Sequence, residues 1–237
     1  MWLMAEYEAS ALFTLKPATA TASGGKTLLV PTPFAIKMAL LDAACRLEGQ
    51  AAAEEAWGWL GNLTVALRPA PTVVVNNTFT KVLKPRRGDA RPGSKHAGYF
   101  QQTINYREYA QLAGTFAIAL ELSADADPDR LTRWLLHVNY LGKRGSFIQL
   151  QGVPEILDDL PPGFIVVDGQ LPGFDLGAVL TQLDDVGEEL SFARANIYSG
   201  KPITLGKHRV LRHVALPYRL VASSRGYSHY ELAGEAP

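Results

Sequence analysis

The order in which strand-like and helix-like periods follow one another constrains this chain more than any single motif. An alternating apolar pattern near the N-terminus gives way to a helical period and then to two alternating segments around a long polar stretch. A further alternating segment, a second helical period and a last strand-like segment follow. Apolar residues at every second position are typical of strands, whereas spacings of three and four are typical of helices. The order therefore predicts strand, helix, strand pair, helix and strand, in a chain of α+β class.

Two segments carry the helical period together with signals that start and stop a helix. The first begins at Pro33 and is expected to stop at Gly49, and an alanine-rich helical piece follows it. The second has Asp127 as its cap and Pro128 in its first turn, and we expect it to end at Gly142. Its apolar stripe consists of Leu131, Trp134, Leu135, Val138 and Leu141. Such a stripe indicates a helix packed on a sheet.

Strand-like alternation occurs in residues 6–16, 72–83, 99–106, 115–122 and 146–152. Between the second and third of these segments lies KPRRGDARPGSKHAG, whose prolines and glycines predict a long and mobile hairpin tip. Together with the two helices, these strands predict a ferredoxin-like (βαββαβ, RRM-like) core whose central hairpin is drawn out.

The pattern weakens after Pro154, where turn signals and acids precede a basic, strand-like tail. We therefore expect a ferredoxin-like domain over residues 1–154, with its hairpin at about 73–107. A smaller, β-rich C-terminal region over residues 155–237 is expected to return to the sheet.

Positive and negative charges are separated along the chain, although the formal net charge is zero. Six cations and one acid lie in residues 81–95, nine acids and no lysine or arginine in 146–193, and seven cations and no acid in 194–225. Basic segments of this kind attract phosphate, but a solvated surface with local dipoles would explain the same pattern.

Familiar catalytic and metal-binding signatures are missing from the sequence. Cys45 is the single cysteine, the five histidines lack metal-ligand spacing, and SGGKT (residues 23–27) lacks the first glycine of a phosphate loop. We therefore expect no metal and no cofactor. If the protein has an activity, metal-free cleavage of RNA is the plausible type, with His96 and Tyr106 as acid–base candidates and Lys95 stabilising charge.

The glycine loop after the second helix, NYLGKRGSFIQLQG, has two explanations. Gly142 can end the helix in a left-handed conformation, while Lys143 and Arg144 complement the negative helix end. That explanation leaves the second glycine and the serine after it without a role. Two glycines around a cation pair also expose backbone amides and let a phosphate approach closely. From the residues alone, both explanations stay open.

Two stretches resemble motifs of the CRISPR-associated RAMP superfamily. Residues 28–44, LLVPTPFAIKMALLDAA, resemble the PPPSxLRGAL stretch that opens the first helix there, but depart from it at Phe34 and Met38, where serine and glycine are usual. Residues 139–150 resemble the YLGRS-type glycine loop of the Cascade handle-binding subunit, the fifth-numbered Cas family. The two stretches frame the basic hairpin, where that family has its thumb. The tail over residues 216–232 also resembles the C-termini of that family.

The resemblance implies a non-catalytic subunit that grips the five-prime handle of a guide RNA (crRNA) in a class one CRISPR interference complex of Cascade type, in antiviral defence. The implied partners are crRNA, a backbone RAMP subunit and a large subunit, with target DNA contacted indirectly and no membrane. The implied RNA contacts in the glycine loop are Tyr140, Gly142, Lys143, Arg144, Gly145 and Ser146. On the first helix the implied contact is Lys37, and in the loop before it Lys26 is a further candidate because of its own charge. Those of the thumb are Lys81, Lys84, Arg86, Arg87, Arg91, Lys95 and His96.

Two other functions are compatible with the same sequence. One branch of the family cuts precursor crRNA itself with a Tyr/His/Lys set, so a metal-free endoribonuclease is the alternative. A ferredoxin-like regulatory module for a small metabolite is the third, and the long cationic hairpin argues against it. The acidic N-terminal residues and the absence of an apolar run of about 18 residues predict a cytoplasmic protein.

Overall fold

The computed structural model describes residues 1–20, 24–86, 88, 92–94, 98–170 and 177–233. Its strands are β1 (Trp2–Ala9), β2 (Gly24–Gly25), β3 (Val65–Arg68), β4 (Thr72–Pro85), β5 (Phe100–Ala113), β6 (Thr115–Glu121), β7 (Ile148–Leu157), β8 (Ile165–Val166), β9 (Val179–Val186), β10 (Arg209–Leu216), β11 (Tyr218–Ser223) and β12 (Tyr227–Leu232). Its helices are α1 (Pro33–Glu48), α2 (Gln50–Leu60), α3 (Pro128–Leu136), α4 (Phe192–Ala195) and a short 3-10 turn, Ile197–Ser199.

The core sheet has the strand order β7, β1, β6, β3, β8, and neighbouring strands are antiparallel. Followed along the chain, its main elements run β1-α1-β3-β6-α3-β7. This is the split βαβ arrangement, in which each helix connects two parallel strands that are separated by an antiparallel one. The α+β class and the ferredoxin-like βαββαβ order are therefore confirmed.

Local signals start both of the helices that cover this sheet. Thr32 precedes α1, and its Oγ1 accepts a hydrogen bond from the amide of Ala35 at 3.1 Å. Asp127 precedes α3 and accepts hydrogen bonds from the amides of Asp129 and Arg130 at 3.1 and 3.0 Å. The stripe predicted on α3 and the residues after it is buried: Leu131, Trp134, Leu135, Val138 and Leu141.

Two predicted ends are wrong. Helix α3 ends at Leu136, six residues before Gly142, because the amide of His137 turns back to the carbonyls of Trp134 and Leu135. The first strand ends at Ala9, and the chain then leaves the core sheet. Phe13 lies beside the second sheet instead, where its amide and carbonyl each bond the backbone of Ala110 at 2.7 Å.

The long hairpin of β4 and β5 belongs to a second sheet, with the order β11, β12, β4, β5, β2. It pairs continuously from Thr72 opposite Ala113 to Pro85 opposite Phe100. The hairpin is therefore an insertion between the second and third core strands, β3 and β6, rather than those strands drawn out. Strand β12 pairs with β4, so part of the C-terminal region returns to this second sheet. The domain boundary at residue 154 stays a prediction.

The acid-rich segment and the basic tail meet in the β9–β10 hairpin, which packs beside α1. Arg209 Nε lies 2.5 Å from Asp184 Oδ2, and Arg212 Nε lies 3.8 Å from Asp185 Oδ2. Part of the charge separation seen in the sequence is thus neutralised inside the fold. No helix in the described ranges is long and apolar enough to cross a membrane.

Candidate functional site

The glycine loop is a tight turn closed by its own backbone. Tyr140 pairs with Phe147, the amide of Leu141 donates to the Ser146 carbonyl at 3.2 Å, and the Ser146 amide donates to the Lys143 carbonyl at 3.1 Å. Gly142 and the glycine after the cation pair have φ of 70° and 103°. Backbone with positive φ favours glycine, so the geometry of the turn explains both glycines.

The tip of this turn is exposed and its base is not. Gly142, Lys143, Arg144 and Gly145 are exposed, and Tyr140 is half-buried. The side chain of Ser146 is only 1% exposed, and its Oγ accepts a hydrogen bond from the amide of Thr14 at 3.3 Å. The expectation that Ser146 contacts RNA is therefore corrected: its hydroxyl fastens the loop to the segment after β1.

Lys37 does not reach the surface either. It is 2% exposed, its Nζ lies 2.7 Å from Asp185 Oδ1, and it donates to the Gly61 carbonyl at 3.0 Å. Burial lowers the pKa of Lys37, the neighbouring Asp185 raises it, and the net direction is downward. Because its ammonium is enclosed and paired, Lys37 is an anchor between α1 and β9, and the expected RNA contact is wrong. Lys26, in contrast, is exposed.

A groove of about 1070 Å³ runs beside the glycine loop. It is lined by the exposed tip of that loop and by residues of α1, including Phe34, Ala35 and Met38. Residues of β9, β10 and α4 line it as well. The fold therefore brings together the two stretches that carry the sequence resemblance, the glycine loop and the start of the first helix.

The lining of the groove is rich in positive charge. The cations are Lys16, Arg107, Lys143, Arg144 and Arg209, and the acids are Asp42 and Asp184. Both acids are occupied, because Asp42 pairs with Arg46 at 2.9 Å and Asp184 with Arg209. Within the described residues, no ion pair neutralises the other four lining cations. A cleft of one sign attracts and concentrates ligands of the other sign.

Sequence reasoning missed three of these cations. Lys16 and Arg107 come to the groove through pairings that no local pattern signals: Leu28 donates to the carbonyl of Leu15, and Gly25 pairs in parallel with Arg107 of β5. Arg209 arrives from the far end of the chain through the β9–β10 hairpin. The one available signal was the basic composition of the C-terminal tail.

The hairpin has two different faces. Phe79, Leu83, Phe100 and Ile104 are large, exposed apolar residues, and the register places them on the same face as Lys81. Lys84 lies on the opposite face, because side chains alternate along a strand. Both lysines are exposed and Arg86 is half-buried. Four residues expected to contact RNA at the hairpin tip lie outside the described residues: Arg87, Arg91, Lys95 and His96.

The environment of Tyr106 bears on the catalytic alternative. Its hydroxyl lies 2.9 Å from Asn77 Oδ1 and 3.2 Å from Glu108 Oε1. Burial and then the charge of Glu108 raise the pKa of Tyr106. A phenol with a raised pKa is a poorer base near neutral pH. Its suggested partners, His96 and Lys95, lie outside the described part of the chain. Among the described residues, no cluster of metal-ligating side chains is found.

No protein-family model and no curated protein sequence matches this chain. Solved structures similar in backbone path include one described as a CRISPR RNA-guided surveillance complex, with a TM-score of 0.49 and 16% identity over 91% of this chain and 90% of that chain. A CRISPR protein from Archaeoglobus fulgidus has a TM-score of 0.43 and 10% identity over 98% and 92% of the two chains. A structure described as a Cas protein has a TM-score of 0.41 and 17% identity over 92% and 95%. Likeness at this level assigns no function to this chain.

Proposed function

We propose that this protein is a non-catalytic, guide-RNA-binding subunit of a CRISPR interference complex, and that the groove holds the RNA backbone. The sequence resemblance supplies the class of ligand. Under this proposal the RNA is the five-prime handle of crRNA in a Cascade-type complex, and the partners are the backbone RAMP subunit and the large subunit.

The observation that carries the proposal is the convergence of four cations that have no ion pair within the described residues on one groove. Lys143 and Arg144 stand at the tip of the glycine loop, and Lys16 and Arg107 line the same groove. Lysine and arginine contacts to phosphate supply most of the sequence-independent affinity for nucleic acid. Gly142 lines the same groove, but a Cβ added there would meet the Leu15 side chain at 3.2 Å, so this glycine serves the packing of the turn and the cations carry the proposal.

The endoribonuclease alternative names Tyr106 together with His96 and Lys95, and the structure describes only Tyr106 of the three. The hydrogen bonds of Tyr106 to Asn77 and Glu108 favour a structural role. Incubation of the pure protein with repeat RNA in EDTA separates the two functions. Intact RNA that is bound supports the subunit, and a discrete cut supports the enzyme. A cut that disappears in Tyr106→Phe would assign the chemistry to this residue.

The groove is tested with the double variant Lys143→Ala, Arg144→Ala. Binding of a fluorescently labelled single-stranded RNA is followed by anisotropy over a range of salt concentrations. Each lost phosphate contact should flatten the dependence of log K on log salt by about 0.7 for a single strand. The affinity should fall for every RNA sequence tested, because phosphate contacts read no bases.

The matched control is Arg133→Ala, Arg219→Ala, which removes the same charge from two exposed positions outside the groove. If both double variants lose affinity equally, only net charge matters and the groove is not the site. An unchanged salt slope in the loop variant, with the fold intact by circular dichroism, would falsify the contact.

A further inference from the structure

Arg209 is held in one orientation at the wall of the groove. Its Nε lies 2.5 Å from Asp184 Oδ2, and Asp184 is only 1% exposed. Its guanidinium carbon lies 4.3 Å from the centroid of the Phe34 ring, within the distance of a cation–π contact. An arginine on the surface of a protein normally samples many rotamers, whereas this one is fixed on two sides.

The remaining part of the guanidinium is free to bind a ligand. The contact to Asp184 uses Nε, and within the described residues no protein group accepts a hydrogen bond from the two terminal nitrogens. The side chain is 30% exposed and lines the groove.

A fixed guanidinium fork suits one ligand chemistry best. Its planar donors match two oxygens of a phosphate, a geometry that a lysine ammonium does not provide. Because Phe34 and Asp184 already restrict the side chain, little rotamer entropy is lost when the ligand binds. Asp184 offsets part of the charge of Arg209, so the four other lining cations supply the long-range attraction and Arg209 supplies directed hydrogen bonds.

We propose that Arg209 is a phosphate-binding residue of the groove, and that Asp184 and Phe34 are its positioning residues. The proposal rests on the proposed function, since the phosphate is that of the RNA backbone. It adds a contact from the C-terminal region to those of the glycine loop, so that the RNA backbone is held by two distant parts of the chain.

The first test is Arg209→Lys, which keeps the cation for Asp184 but removes the planar fork. RNA affinity by anisotropy should fall roughly ten-fold, the value of a charged hydrogen bond, with little change in salt slope because the charge is kept. Arg219→Lys, the same exchange at an exposed position of β11, should bind like the wild type. Equal binding by the two variants would overturn the proposal.

A second pair of variants tests the positioning role of Phe34. Phe34→Leu removes the stacked ring and should weaken RNA binding several-fold, whereas Phe34→Tyr keeps an aromatic face and should restore it. If leucine binds as well as tyrosine, Phe34 positions nothing.

A double variant separates loss of RNA binding from loss of folding, because Arg209→Ala alone would leave the buried Asp184 unpaired and could unfold the protein. In Asp184→Asn, Arg209→Gln the two neutral side chains can still bond each other, and RNA affinity should fall as in Arg209→Lys. If the Lys143→Ala, Arg144→Ala variant loses RNA and the Arg209 variants do not, this inference fails while the proposed function stands. A wild-type protein that binds no RNA would overturn both.

Discussion

The buried pair of Lys37 and Asp185 allows the sharpest test of this structure, because the sequence and the fold give Lys37 opposite roles. From the sequence alone, Lys37 is an RNA contact on the first helix. In the fold its Nζ bonds Asp185 Oδ1 at 2.7 Å and the Gly61 carbonyl at 3.0 Å. Replacing it with methionine, a side chain of similar length, removes the charge and both hydrogen bonds.

The size of the stability loss in Lys37→Met follows from the carboxylate of Asp185 that the substitution leaves without its partner. In Lys37→Met the carboxylate of Asp185 keeps the Val186 amide at 2.7 Å and a distant Arg212 Nε at 3.8 Å, so it is a nearly unpaired buried charge. Removing one partner of such a pair costs about 3–5 kcal/mol of unfolding free energy. In Lys37→Met, Asp185→Asn the pair itself carries no charge, and the amide oxygen can still accept from Val186. The neighbouring cation, Arg212, has a side chain that is 39% exposed to solvent. The double variant should therefore recover most of the loss.

The direction of the pKa shift supports this asymmetry. Burial lowers the pKa of Lys37 even though Asp185 opposes it, so the folded state disfavours the charge relative to water. A pair with that balance adds little net stability as a whole, although removing one half of it is costly.

Urea unfolding followed by circular dichroism measures the stability of each variant, and anisotropy measures RNA affinity. Lys201→Met, at an exposed lysine, is the control and should change neither quantity by much. At temperatures where all variants are folded, Lys37→Met should bind RNA like the wild type. If Lys37→Met instead has the stability of the wild type but loses affinity for RNA, Lys37 is not a buried anchor and contacts RNA as the sequence suggested.

Two further predictions concern the packing of α3. Leu135→Ala should lower the free energy of unfolding, measured with urea, by about 2–5 kcal/mol, because Leu135 is only 1% exposed. A smaller loss than in Leu136→Ala, at an exposed neighbour, would show that the buried face of α3 is assigned wrongly. Glu48 accepts hydrogen bonds from Arg130 and Trp134; burial raises its pKa, but these partners outweigh it, so the net pKa lies below 4.5. The stability from a lowered carboxyl pKa is present above 4.5 and lost as pH falls through the folded pKa, so the wild type should lose more stability than Glu48→Gln between neutral and acidic pH in melting experiments. Equal losses of stability in the wild type and in Glu48→Gln would refute the lowered pKa of Glu48.

The elements that sequence reasoning found are those with local signals. The start of α1 is marked by Thr32 and Pro33, and the start of α3 by Asp127 and Pro128, within single turns of chain. The strands of the hairpin were found because their alternation is long. Strand β3 was missed because its residues, VALR, are too few to establish a period of two.

The features that were missed depend on contacts between distant parts of the chain. Lys37 and Asp185 are 148 positions apart, so the first-helix sequence alone does not show that this lysine is buried. Arg107 lies where the short strand β2 pairs in parallel with β5, a pairing that no local pattern signals. The end of α3 was misplaced for a related reason. Gly142 has the left-handed backbone of a helix stop, but the chain uses it in the turn that Ser146 fastens to Thr14.

The same geometry gives a physical reason for an aromatic residue at Phe34, where the motif that this stretch resembles usually has serine. A small residue at the start of a helix lets a ligand approach the backbone amides directly. Here Phe34 occupies that place, and the guanidinium of Arg209 lies over its ring. Under the proposed phosphate contact, the ring of Phe34 blocks direct approach to the backbone amides. The phosphate is bound instead by Arg209 of β10, which lies over that ring. Phe34→Ser should therefore not restore phosphate binding. Arg209 would lose its contact with the ring, while Asp184 would still hold the Nε of Arg209 at the groove.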